Sequence, residues 1–144
     1  MSEPIHGTSR HGELTIDQLV ELQPGLGRLM PEISRRYWIL FYAAQGGNWP
    51  LAAHQWRQLR HLFNMGSVTR PKRAKELQAF MAGAMSKLEL AIEARDWDEF
   101  EKAYRDGIVL ANRLHETTGH AEIRWKLPAE PPKDMDLGPG PGET

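Results

Sequence analysis

Apolar residues recur at alternating steps of three and four along most of the chain, the period of a helix that buries one face. Met30, Ile33, Tyr37, Leu40 and Ala44 form one such stripe, and a first long helix is expected to start near Leu26 or Pro31 and run to Gln45. A second carries Ala52, Trp56, Leu59 and Phe63 and should finish near Asn64 to Gly66. The third begins around Pro71, behind the potential cap Thr69, and presents Leu77, Phe80, Met81, Ala84, Leu88 and Ala91. In the fourth, Asp96 and Glu99 form a cap-like pair, acids fill the first turn where the helix dipole favours them, and Phe100, Tyr104, Gly107, Ala111 and Leu114 mark the stripe that ends at Gly119.

The breaks between stripes carry their own signals. Thr15-Ile16-Asp17-Gln18 reads as a capping box that opens a short helix, which Pro24-Gly25 ends. Gly46-Gly47 stops the first long helix, and Asn48 caps the next with Pro50 in its first turn. No strand-like alternation competes. Four amphipathic helices on short connections predict an all-α fold, an antiparallel up-down-up-down four-helix bundle with a short N-terminal helix and an extended Pro/Gly-rich C-terminal tail. The expected organisation is a polar N-terminal arm over 1–14, a bundle domain over 15–128 and the tail over 129–144, whose residues Gly138 to Gly142 are expected to be disordered or extended.

Within the first long helix, Tyr37-Trp38-Ile39-Leu40-Phe41-Tyr42-Ala43-Ala44 is uncharged and apolar around its whole circumference. Such a helix must be covered on more than one side. The other helices with the tail, a second copy of the chain, or a bound ligand could provide that cover, and packing at a homodimer interface is the expected one. Alternatively, Tyr37, Trp38, Trp56 and Tyr104 line a pocket inside the bundle for a small apolar or aromatic ligand, since facing helices are where bundles place ligands.

Composition narrows the chemistry. A chain of 144 residues, 40% hydrophobic and with formal net charge −1, suits one domain and lacks the electrostatic footprint of a nucleic-acid binder. The absence of cysteine removes disulfides, thiolate metal sites and Cys nucleophiles together. With neither a secretory leader at Met1 to Gly7 nor an apolar run of membrane-spanning length, a cytoplasmic protein without membrane insertion is expected.

Candidate metal and phosphate motifs fail on spacing. His54 and His61 lie seven residues apart, about 10 Å along a helix axis, and cannot share a metal unaided. None of the four expected long helices carries the Glu-x-x-His pair of di-iron bundles, and Gly46-Gly47 is not followed by Gly-Lys-Ser/Thr. No metal is therefore expected.

Three further segments stand out. In His6-Gly7-Thr8-Ser9-Arg10-His11-Gly12, Arg10 with two imidazoles could meet a carboxylate or phosphate, or the segment is a polar arm across the bundle. Arg70, Lys72, Arg73 and Lys75 crowd a helix start against the dipole's preference, as a solvated basic face or in contact with Glu116 and Glu122. Ile123-Arg124-Trp125-Lys126-Leu127-Pro128 reads as an extended strap with Trp125 as its anchor.

Near the end of the fourth helix, Ala111-Asn112-Arg113-Leu114-His115 stands where c-type cytochromes carry Cys-x-x-Cys-His, followed by Glu116 to Ile123. Together with the Gly46-Gly47-Asn48-Trp49 turn and the helix order, this resembles cytochrome c prime-like four-helix-bundle proteins over residues 30–128, without their haem-attachment motif. The resemblance implies that His115 matches the axial haem ligand. Ala111 and Leu114 occupy the thioether positions, so covalent haem cannot form, although an axial His can hold haem noncovalently. It also implies pairing of two copies through the first two helices.

Two functional classes follow. One is a haem-free bundle that acts as a small-molecule-binding or accessory protein, with Tyr37, Trp38, Trp56, Tyr104, His115, His120 and Arg10 as candidate contacts. The other is an enzyme with a His/Tyr/Arg pocket between the helices, built on His115, Tyr37 or Arg10, with or without noncovalent haem.

Overall fold

The computed structural model describes residues 3–141; Met1 and Ser2 of the arm and Gly142 to Thr144 of the tail lie outside the described residues. The fold is predominantly helical with one small two-stranded sheet. Strands β1 (His6–Ser9) and β2 (Gly12–Thr15) pair antiparallel, with His6 opposite Thr15 and Ser9 opposite Gly12. Helices α1 (Ile16–Leu22), α2 (Leu26–Gln45), α3 (Trp49–Thr69), α4 (Ala74–Phe80), α5 (Ser86–Ala94) and α6 (Trp97–Thr117) follow. A 3₁₀ turn, Pro71–Arg73, leads into α4, and a π turn, Met81–Met85, joins α4 to α5 in one continuous rod.

The caps form where their residue types place them. The Thr15 hydroxyl accepts from the Gln18 N–H at 3.0 Å while Gln18 Oε1 accepts from the Thr15 N–H at 2.8 Å, completing the capping box. Asn48 Oδ1 accepts from the Leu51 N–H, and Asp96 Oδ1 from the Glu99 N–H. Gly47 turns the chain between α2 and α3 at φ +79°, a left-handed conformation that glycine adopts without Cβ strain.

Two boundaries differ from expectation. The arm is a β-hairpin rather than an irregular segment laid across the bundle: its side chains are exposed on both faces, so it shows none of the alternation that marks a half-buried strand. Helix α3 runs on to Thr69 through Gly66, where a Cβ would stand 3.2 Å from Leu26 and Leu77 side-chain carbons. Gly66 is therefore a close helix contact and not a stop, and Thr69 donates its hydroxyl to the Pro24 carbonyl instead of capping α4.

The core lies between α2, α3, the α4–α5 rod and α6. Leu40, Leu59, Met85, Leu88, Phe100 and Tyr104 are fully enclosed. Helix α2 packs along α3 and also meets α6. Its remaining side is closed by the tail: Tyr42 donates to the Pro128 carbonyl at 2.7 Å, Trp38 Nε1 to the Glu130 carbonyl at 2.9 Å, and Arg35 pairs with Asp134 at 2.6 Å. The chain's own helices and tail thus cover the apolar circumference of α2. The described part of the tail has no helix or strand and stays against the bundle to its end, with Leu137 O so close to Gly46 that no Cβ fits between them, and Gly140 against the Asn48 side chain.

Candidate functional site

Tyr37 on α2 and Tyr104 on α6 meet in the middle of the core, with rings stacked 4.0 Å apart and 9° from parallel. Each hydroxyl donates to the other residue's backbone carbonyl, Tyr37 at 2.8 Å and Tyr104 at 2.6 Å. Burial pushes both phenols far above the ordinary tyrosine range, so both are neutral donors. Gly107 makes the arrangement possible, because a Cβ there would stand 2.5 Å from the Tyr37 hydroxyl oxygen.

Trp125 completes this cluster from the strap. Its ring sits edge-on to Tyr37 at 5.3 Å and to Tyr104 at 6.4 Å, and Nε1 donates to Ser34 Oγ at 2.5 Å. Asn112 grips the Trp125 backbone from α6, accepting from its N–H at 2.8 Å and donating to its carbonyl at 3.0 Å. An Asn side chain presents one amide oxygen and one amide nitrogen, so this exchange pairs both backbone groups of one residue. Asn112 and Ser34 were not singled out by sequence reasoning, since a lone polar residue on a partly buried helix face carries no signal of a partner far along the chain.

The remaining candidates do not join the cluster. Trp56 is buried on α3 and donates Nε1 to the Met85 carbonyl at 2.8 Å, at the end of the π turn, with the Arg60 guanidinium 5.2 Å over its ring. Trp38 faces the tail on the outer side of α2. Arg10 lies exposed in the hairpin turn and donates to His11 Nε2 at 3.0 Å. His120 is exposed beyond α6 with Nδ1 3.3 Å from Glu122 Oε1.

His115 is half-buried in the last turn of α6. Burial pulls its imidazole below the ordinary histidine range, against an opposing contribution from the Ile123 backbone. Its Nδ1 is enclosed without a hydrogen-bond partner, as is Glu76 Oε2 on α4. The basic start of the α4 rod reaches this end of the molecule through Arg73, which donates to the Thr118 carbonyl at 3.3 Å and lies 3.9 Å from Glu76. Contact is thus made with the negative end of the α6 dipole and not with Glu116 or Glu122.

Two concavities lie on the surface along α5 and α6, one lined by Lys87, Ala91 and Ala103, the other by Gly83, Gly107 and Leu110, and neither is lined by a candidate aromatic or His115. Among the described residues no group of three or more His, Asp or Glu gathers to hold a metal ion, and no helix is long and apolar enough to cross a membrane.

The side chains of Ala111, Asn112 and Leu114 are engaged within the chain. Ala111 and Leu114 pack against the core, Asn112 is engaged with Trp125, and the strap of residues 123–128 runs beside the same stretch of α6. A planar macrocycle on His115 would have to displace the strap. Compared with protein-family models, curated proteins and solved structures, the chain matches none of them.

Proposed function

We propose that the chain is a haem-free, cytoplasmic accessory protein, a cytochrome c prime-like bundle of up-down-up-down helices α2, α3, α4–α5 and α6 that works through its surface. The observation that carries this reading is the Tyr37–Tyr104–Trp125 cluster, which fills the interior between α2 and α6 where a bundle would hold a ligand. The hydroxyls, indole N–H and Asn112 amide of that cluster are all engaged within the chain, so no polar group there is left to orient a substrate. Tyr37, His115 and Arg10 lie on separate parts of the molecule, which argues against the enzyme reading.

One observation favours a second reading. The enclosed and unpartnered Nδ1 of His115 is the kind of group a ligand satisfies, and the strap beside it is held by side-chain hydrogen bonds that a ligand could exchange. A visible absorption titration with haem separates the two. The proposal expects no Soret band that differs between the native protein and His115→Ala; a band lost in His115→Ala would overturn it in favour of noncovalent haem.

A further inference from the structure

The N-terminal arm, residues 3–23, forms two regular elements and buries none of their side chains. A two-stranded hairpin and a seven-residue helix are each marginal in water by themselves. Their apolar residues are nevertheless sorted. On α1, Leu22, Leu19, Ile16 and Val20 fall on one continuous arc, and Asp17, Gln18 and Glu21 fall on the other. On the hairpin, Leu14 shares a face with Ile16 and, through the Gly7–Leu14 and Ile5–Ile16 pairings, with Ile5. Ile5 is 72% exposed and Val20 63%. The two faces run together at Ile16 into one uncovered apolar surface.

Charge is sorted as well. The arm carries Glu3, Glu13, Asp17 and Glu21 against Arg10, whereas residues 57–75 carry Arg57, Arg60, Arg70, Lys72, Arg73 and Lys75 and no carboxylate. The root of the arm is pinned beside that cationic segment, with Thr69 bonded to the Pro24 carbonyl and the Arg70 guanidinium against Gly25. Met65 and Val68 on the same stretch of α3 are exposed apolar residues, Val68 at 80%.

We infer that the arm docks on a second copy of this chain, its apolar face on the Met65–Val68 end of the partner's α3 and its acidic rim on the partner's cationic segment, in a reciprocal two-fold pairing. One molecule carries both the acidic arm and the basic receiving surface, and its net charge of −1 opposes association little. At ordinary Leu, Ile and Val sizes the six apolar residues expose about 600 Å² per copy, so two copies bring together on the order of 1,200 Å², the lower bound of a standard specific interface. This pairing is independent of whether His115 meets a ligand.

Sedimentation equilibrium of the full-length protein tests it. The native chain should be dimeric at micromolar concentration, and Leu19→Asp with Val20→Asp should weaken the dimer at least 100-fold while leaving the bundle's helical circular dichroism unchanged. Lys72→Glu with Lys75→Glu should also weaken it, and adding Asp17→Lys with Glu21→Lys should restore it. A native monomer at 100 µM would overturn the second copy as the occupant. So would a dimer indifferent to the α1 substitutions, or a charge reversal that fails to restore association.

Discussion

Tyr37 and Tyr104, 67 residues apart, each donate a hydroxyl hydrogen bond to the other's backbone carbonyl across a face-to-face ring stack. The bonds tie α2 to α6 in a fixed register, because each phenol can reach only one turn of the facing helix. Both carbonyls lie in helices and keep a backbone partner if the phenol is removed. Tyr37→Phe and Tyr104→Phe should therefore each cost about 1 kcal/mol, the net worth of a buried hydrogen bond, as read by urea unfolding. Truncation to Ala should cost about 3–5 kcal/mol because the stack and its volume go with it.

The same burial sets an alkaline limit. With the folded-state pKa raised, both phenols stay neutral in the native protein while the unfolded chain ionises around pH 10. The stability these groups contribute is fully present below that pH and is lost as pH rises beyond it. Absorbance at 295 nm should show Tyr37 and Tyr104 ionising only together with loss of helical circular dichroism, and Tyr37→Phe with Tyr104→Phe should flatten the alkaline limb.

Gly107, in the middle of α6, and Gly27, in the first turn of α2, are helix glycines with opposite expectations. Alanine is better than glycine in a helix interior by up to about 1 kcal/mol. At Gly27 nothing lies within 4 Å of the added Cβ, so Gly27→Ala should raise the melting temperature. At Gly107 the methyl group meets the Tyr37 hydroxyl oxygen at 2.5 Å and Ala84 Cβ at 3.3 Å. Overpacking of about 1–3 kcal/mol exceeds the propensity gain, so Gly107→Ala should lower the melting temperature. Equal shifts in the two variants would count against the Tyr37–Tyr104 register.

The helix order was legible because each long helix carries a period of three to four in its apolar residues, and Asn48, Asp96 and Thr15 announce their helix starts. The π turn Met81–Met85 was not, since an extra residue in a helical turn leaves no mark on a stripe as broad as Met81, Ala84, Met85 and Leu88. Gly66 looked like punctuation but answers to Leu26, Leu29 and Leu77, contacts that exist only once α2 and α4 have packed on α3. Of the candidate site, Tyr37, Tyr104 and the Trp125 anchor were readable as aromatics with somewhere to go. Their polar partners were not, because Ser34 and Asn112 are defined by a strap that returns from far along the chain.

The strap turns that long-range contact into a testable dependence. Asn112 holds Trp125 by two backbone hydrogen bonds, and Trp125 in turn closes the edge of the tyrosine stack. Asn112→Ala leaves a part-buried N–H and carbonyl at Trp125 unpaired and should cost about 1–3 kcal/mol. Trp125→Ala removes the ring from Tyr37, Tyr104 and Ser34 and should cost about 2–4 kcal/mol, less than a fully enclosed Trp because the ring is only half-buried. The two residues share one contact, so the double variant should cost clearly less than the sum of the singles. Ending the chain before Ile123 removes Trp125 and every tail contact to α2, and should lower the melting temperature more than either substitution. An unchanged melting temperature in the truncated chain would mean that α2 needs no cover from the tail, and additive costs in the double variant would mean that Asn112 does not act through Trp125.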